Sequence, residues 1–141
     1  MVTNMCWYVR FEVSLIDKRG KKDIEERVLG YKAKVCKKGL DKVNLIKGSM
    51  DEGFMTALHC DCDNIVTDKE TEGQRLLHYP VLFEQVIQDP KVKNIRVWWT
   101  WGDDEPKGKE EKVKISEFLE LNEKTKLRPH VIFRILKEEY G

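Results

Sequence analysis

The clearest pattern in the chain is a strict alternation near its start. Trp7, Val9, Phe11, Val13 and Leu15 share one side, and Tyr8, Arg10, Glu12 and Ser14 share the other. Successive side chains of a strand point to opposite faces, so residues 6–16 read as a strand with one buried and one wet face. The tract from Asp17 to Lys22 closes it as a polar turn. Residues 23–38 change period: Ile24, Val28, Tyr31 and Val35 follow the i, i+4, i+7, i+11 spacing of a helical stripe. Asp23 with Glu26 resembles a capping box, and Lys37-Lys38-Gly39 supplies a basic last turn and a terminating glycine. Gly30 inside the segment costs about 1 kcal/mol against alanine, so a hairpin strand over Val28–Cys36 stands as the alternative.

Val43–Ile46 reads as a short strand, 48–53 as a turn and Phe54–Cys62 as the next strand. Gln74–Gln88 reads as a helix, with its regular part starting at Pro80, since proline suits the first helical position. Leu82, Phe83, Val86 and Ile87 form its apolar side, and Asp89-Pro90 stops it. Val92–Trp101 is a second strong strand. Ile95, Val97, Trp99 and Trp101 take the core side, and Arg96, Trp98 and Thr100 take the other. A polar loop over Gly102–Lys112, a short helix over Ile115–Leu121 and a last strand over His130–Leu136 complete the chain. The order β-α-β-β-α-β-α-β predicts an α+β, two-layer sandwich with a mainly antiparallel sheet and helices on one face. Its first six elements match a ferredoxin-like β-α-β-β-α-β with an appended α-β.

Composition narrows the class. At 141 residues, the chain suits one compact domain spanning 1–141. With 40 % hydrophobic and 36 % charged residues, a core can form and general disorder is excluded. No apolar run approaches the roughly 18 residues of a membrane span. The opening residues lack the basic and apolar regions of a signal peptide, so a cytoplasmic location and reduced cysteines are expected.

The net charge of +1 argues against the broad basic footprint of a nucleic-acid binder. Local charge is uneven: residues 18–47 carry eleven basic and four acidic side chains, and 51–72 carry seven acidic and one basic. Two solvated faces that attract each other account for this more simply than a steering patch.

Candidate chemistry concentrates in His59-Cys60-Asp61-Cys62-Asp63. Cysteines two apart on a strand share a face, so Cys60 and Cys62 could bind one tetrahedral zinc, with Cys36, Cys6, His78 or His130 completing the set and His59 beside it. The simpler reading makes both cysteines small core residues and leaves His59, Asp61 and Asp63 on a solvated face. A thiol enzyme would need a base beside the sulfur, and His59 alternates away from both cysteines. Phosphate-loop, nucleophile-elbow and zinc-protease motifs are absent from the sequence.

The wet sheet face is the stronger candidate. Tyr8, Arg10, Arg96 and Trp98, with Ile132 and Leu136 from the last strand, would put aromatic, apolar and arginine side chains on one surface. These are the residue types that carry energy at protein interfaces. The expectation is a non-catalytic interaction module that binds a protein partner or a second copy through this face. Base stacking by RNA is disfavoured, because His59, Asp61 and Asp63 would bring two carboxylates to the platform.

Overall fold

The structure, a computed structural model, describes residues 6–16, 26, 28–31, 45–47, 52–56, 61–102, 105–106 and 110–138. Its strands are β1 (Trp7–Leu15), β2 (Leu45–Lys47), β3 (Glu52–Thr56), β4 (Ile65–Thr67), β5 (Gln74–Leu76), β6 (Val92–Trp101), β7 (Glu111–Lys114) and β8 (Phe133–Leu136). The helices with complete bounds are α1 (Tyr79–Ile87) and α2 (Ile115–Glu123). Residues 26 and 28–31 are also helical, which favours the helical reading of that segment over the hairpin. The predicted ends of that helix, with Ile24, Val35 and Cys36, lie outside the described residues.

Six strands form one sheet in the order β2-β3-β1-β6-β8-β7, and β4 pairs with β5 in a separate hairpin. Every pairing is antiparallel except β7 with β8. The fold is therefore α+β. Alternation does what it should in β1, where Val9, Phe11 and Val13 are buried and their neighbours are not. On β6, Ile95, Val97 and Trp99 are buried on the same side. Trp101 is only half-buried, because the strand ends there and its ring sits edge-on to Trp7 at 5.1 Å.

Both helices cover this apolar side. Phe83 of α1 packs on Phe11 at 5.0 Å, Phe118 of α2 packs on Phe133 at 5.8 Å, and the two helices meet through Phe83 and Phe118. Edge-to-face rings such as these add to the energy of area burial. Val28 and the half-buried Tyr31 join the same cluster, two of the four residues of the predicted stripe.

Several elements depart from the sequence reading. Gln74–Leu76 is a strand rather than the start of a helix. Asn122 clasps it, accepting the Leu76 N–H (2.7 Å) and donating to the Leu76 carbonyl (3.1 Å), and Gln74 exchanges backbone bonds with Leu127. Of the strand expected over Phe54–Cys62, β3 holds residues 54–56, residues 57–60 lie outside the described residues, and Cys62–Asn64 is a 3-10 turn instead. Part of the expected polar loop is β7, whose Glu-Lys-Val-Lys sequence turns only Val113 inward. The expected final strand is shorter, because His130 adopts φ 65° and β8 begins at Phe133. Its amide still bonds the Trp99 carbonyl at 2.9 Å.

Candidate functional site

The sheet surface opposite the helices gathers the side chains singled out by alternation. Across β1 and β6, Tyr8 faces Thr100, Arg10 faces Trp98, and Glu12 faces Arg96. Across β6 and β8, Arg96 faces Arg134, and Arg134 faces Lys112 of β7. Tyr8, Arg10, Arg96 and Trp98 are all half-buried and lie on adjacent strands. Ile132 stands one residue before β8, half-buried, and its carbonyl accepts the Glu111 N–H (2.8 Å). It borders the face from outside the ladder.

Like charges placed directly opposite repel, so the Arg96–Arg134 pair needs an anion. Glu110 supplies it: one oxygen, Oε1, accepts from Arg96 Nε at 2.8 Å and from Arg134 Nε at 3.0 Å. Arg96 Nη1 also donates to Glu12 Oε1 at 3.0 Å. Burial pushes the Glu110 carboxyl up, but hydrogen bonds and charge from Arg134 and Arg96 outweigh it and hold the group below its ordinary value. The Arg96 guanidinium lies 5.9 Å from the centre of the Trp98 ring, within cation–π range. The strip is thus ordered by its own charges.

Among the described residues, two buried polar atoms on this face have no partner. Arg10 Nε and Asn94 Oδ1 are both shut off from solvent without a hydrogen bond, and Arg75 Nε elsewhere shares that condition. Such atoms cost about 1–3 kcal/mol each. Asn94 shares the face because it pairs with Ser14 and Leu136.

The Cys-His cluster resolves differently from its expected arrangement. Cys62 lies in a 3-10 turn, half-buried, and its sulfur accepts the Trp7 N–H at 3.5 Å. His59, Cys60 and Cys36 lie outside the described residues. Among the described residues no three His, Cys, Asp or Glu side chains gather as metal ligands.

Asp61, expected on a solvated face, is fully buried. Its N–H bonds the Trp7 carbonyl at 2.7 Å, and its Oδ2 accepts the Val9 N–H at 2.7 Å. Its Oδ1 accepts from the Tyr79 hydroxyl (2.6 Å) and the Asn64 amide (3.1 Å). Burial raises the Asp61 carboxyl above its ordinary value, and the bonds from Tyr79, Val9 and Asn64 recover part of that shift. With both oxygens engaged and no solvent contact, Asp61 ties the end of β1 to α1. No pattern in the sequence marks it, since Tyr79 lies eighteen positions away.

Among the described residues, the helix layer holds a cleft of about 650 Å³, lined by Glu84, Ile87, Gln88, Ile115, Ser116, Leu119, Lys137 and Glu138. Two of its charged groups are engaged within the chain. Glu138 accepts the Ser116 N–H at 2.8 Å, and Lys137 Nζ donates to the Asp89 carbonyl at 2.8 Å.

No family model, no curated protein and no solved structure matches the chain. Function must therefore be read from the side chains, and the sheet face opposite the helices is where they converge.

Proposed function

We propose that the protein is a non-catalytic interaction module that binds a protein partner through the sheet face formed by Tyr8, Arg10, Arg96 and Trp98. One observation carries the reading: the two aromatic and two arginine side chains lie side by side on β1 and β6, with Arg10 directly opposite Trp98. Tryptophan, tyrosine and arginine dominate interface energy, and a cluster of them is most effective when neighbouring contacts exclude water. The ion pairs of Arg96 with Glu12 and Glu110 favour the reading further, because they hold the surface in shape before a partner arrives.

The finer architecture belongs to the same proposal. The order β2-β3-β1-β6, with a helical segment after β1 and α1 before β6, supports a ferredoxin-like arrangement carrying an inserted hairpin and an appended β7-α2-β8 unit.

The test compares wild type with Tyr8→Ala and Trp98→Ala by sedimentation, urea unfolding and quantitative partner capture. Loss of a captured partner, or of self-association, with stability kept supports the face. A monomer whose two variants retain every partner at full strength overturns it.

A further inference from the structure

The chemistry of that face also constrains what binds it; this step rests on the proposed sheet-face reading. Among the described residues of β1, β6, β7 and β8 and the residue before β7, the face carries Arg10, Arg96, Arg134, Lys112 and Lys114 against Glu12 and Glu110. Both carboxylates are already engaged by Arg96 and Arg134. Arg10 has neither an ion pair among the described residues nor a partner for its Nε. We infer that the partner is an acidic protein segment that brings a carboxylate to Arg10 beside the Trp98 ring.

Three physical arguments select this occupant. First, a guanidinium with a desolvated, unbonded Nε–H is prepared for a carboxylate, which can take two parallel N–H bonds from the planar fork. Pairing removes a penalty that the free protein already bears. Arg10 as a whole is only half-buried, so part of its side chain already reaches solvent. Second, the face carries five basic side chains against two carboxylates that are already engaged, so two copies docked face to face would bring like charge together. Third, a nucleic-acid strand carries phosphates at close, regular spacing and would meet Glu12 and Glu110 beside the aromatic site. A peptide can place its carboxylates only where the arginine is. The carboxylates once expected to repel RNA do not supply this argument, because Asp61 is buried at the sheet end and His59 lies outside the described residues.

The experiment follows the arginine Nε–H signals of the full-length ¹⁵N-labelled protein. The probe is a synthetic peptide of alternating glutamate and tyrosine, with its glutamine counterpart and oligothymidylate as comparisons. The glutamate peptide is expected to shift the Arg10 Nε–H and Trp98 indole signals, and salt should weaken the effect. Arg10→Gln should weaken binding about tenfold or more, with Arg10→Lys intermediate because it keeps the charge and loses the fork. Equal binding of the glutamine peptide overturns the inference. So does oligothymidylate moving the same signals in place of the glutamate peptide, and so does concentration-dependent broadening at Trp98 without any ligand. In those three cases the face still binds and only the acidic partner fails. Shifts confined to other surfaces overturn the inference and the sheet-face reading together.

Discussion

The Asp61 carboxylate takes the Val9 N–H at 2.7 Å, at the point where β1 extends beyond its pairing with β3. β3 meets β1 from Arg10 to Val13, so the amide of Val9 needs another acceptor. A side chain here does the work of a strand carbonyl. The same carboxylate holds the Tyr79 hydroxyl at the start of α1, so one residue fixes the sheet end and the helix that covers it. The position of the sheet face follows, because Tyr8 lies next to the residue so anchored.

Asp61→Ala leaves the Val9 amide, the Tyr79 hydroxyl and the Asn64 amide without their acceptor. With about 1–3 kcal/mol for each buried group left unbonded, a loss of about 3 kcal/mol or more is expected. Tyr79→Phe removes a single bond and is expected to cost about 1–2 kcal/mol. Urea unfolding of the two variants checks both size and order.

Acidity separates Asp61 from Glu110. A carboxyl whose pKa is raised on folding contributes stability that is complete below the unfolded value and lost as pH rises through the folded one. Asp61 is such a group, raised chiefly by burial. The stability of wild type minus that of Asp61→Asn is therefore expected to fall as pH rises from the ordinary aspartate value of 3.8 through the raised one, and then to level off. Glu110 runs the other way, because its folded value is depressed despite burial, through hydrogen bonds and charge from Arg134 and Arg96. Its contribution is present above its unfolded value and lost on acidification. Glu110→Gln is expected to cost under about 1 kcal/mol near neutral pH, as suits a partly exposed pair. Chemical unfolding as a function of pH, read for all three proteins, gives opposite slopes if the assignments hold.

A second buried bond joins the hairpin to the core. The Trp99 indole donates to Gln74 Oε1 at 2.7 Å, and Gln74 Nε2 donates to the Thr67 hydroxyl at 3.0 Å. Gln74→Leu would leave the indole N–H buried and unbonded, so a loss of about 1–3 kcal/mol is expected. Trp99→Phe in the same background should recover part of it, and a double-mutant cycle measures the coupling.

Gly73 is confined by its surroundings. A Cβ at this position would run into the carbonyl oxygen of Thr125, so any side chain must push apart the hairpin and the loop after α2. Gly73→Ala is expected to destabilise by about 1–3 kcal/mol, while Gly30→Ala, which meets nothing, should be neutral or stabilising. Thermal melts of the two proteins make the contrast directly.

Strong two-residue alternation made the central sheet legible. It assigned β1 and β6 almost to the residue and put Tyr8, Arg10, Arg96 and Trp98 on one face. β7 left no such trace, because a strand with a single inward apolar residue, Val113, reads as a polar loop. Gln74–Leu76 was hidden for another reason: its extended form depends on Asn122 and Leu127, far along the chain. Asp61 was assigned to solvent by extending a strand that ends earlier. The acceptor role that buries it comes from Val9, Tyr79 and Asn64 meeting in space. The unpartnered Arg10 Nε could be seen only once the neighbours of that side chain were in place.

The central claim is that partners meet the sheet face and not the helix layer. Site-specific photocrosslinking tests it most directly, with a benzophenone amino acid replacing Trp98 on the sheet or Val81 on the exposed side of α1. Irradiation in cells is expected to give a discrete protein adduct from position 98 and none from position 81. Adducts from position 81 alone, or none from either position, would contradict the account.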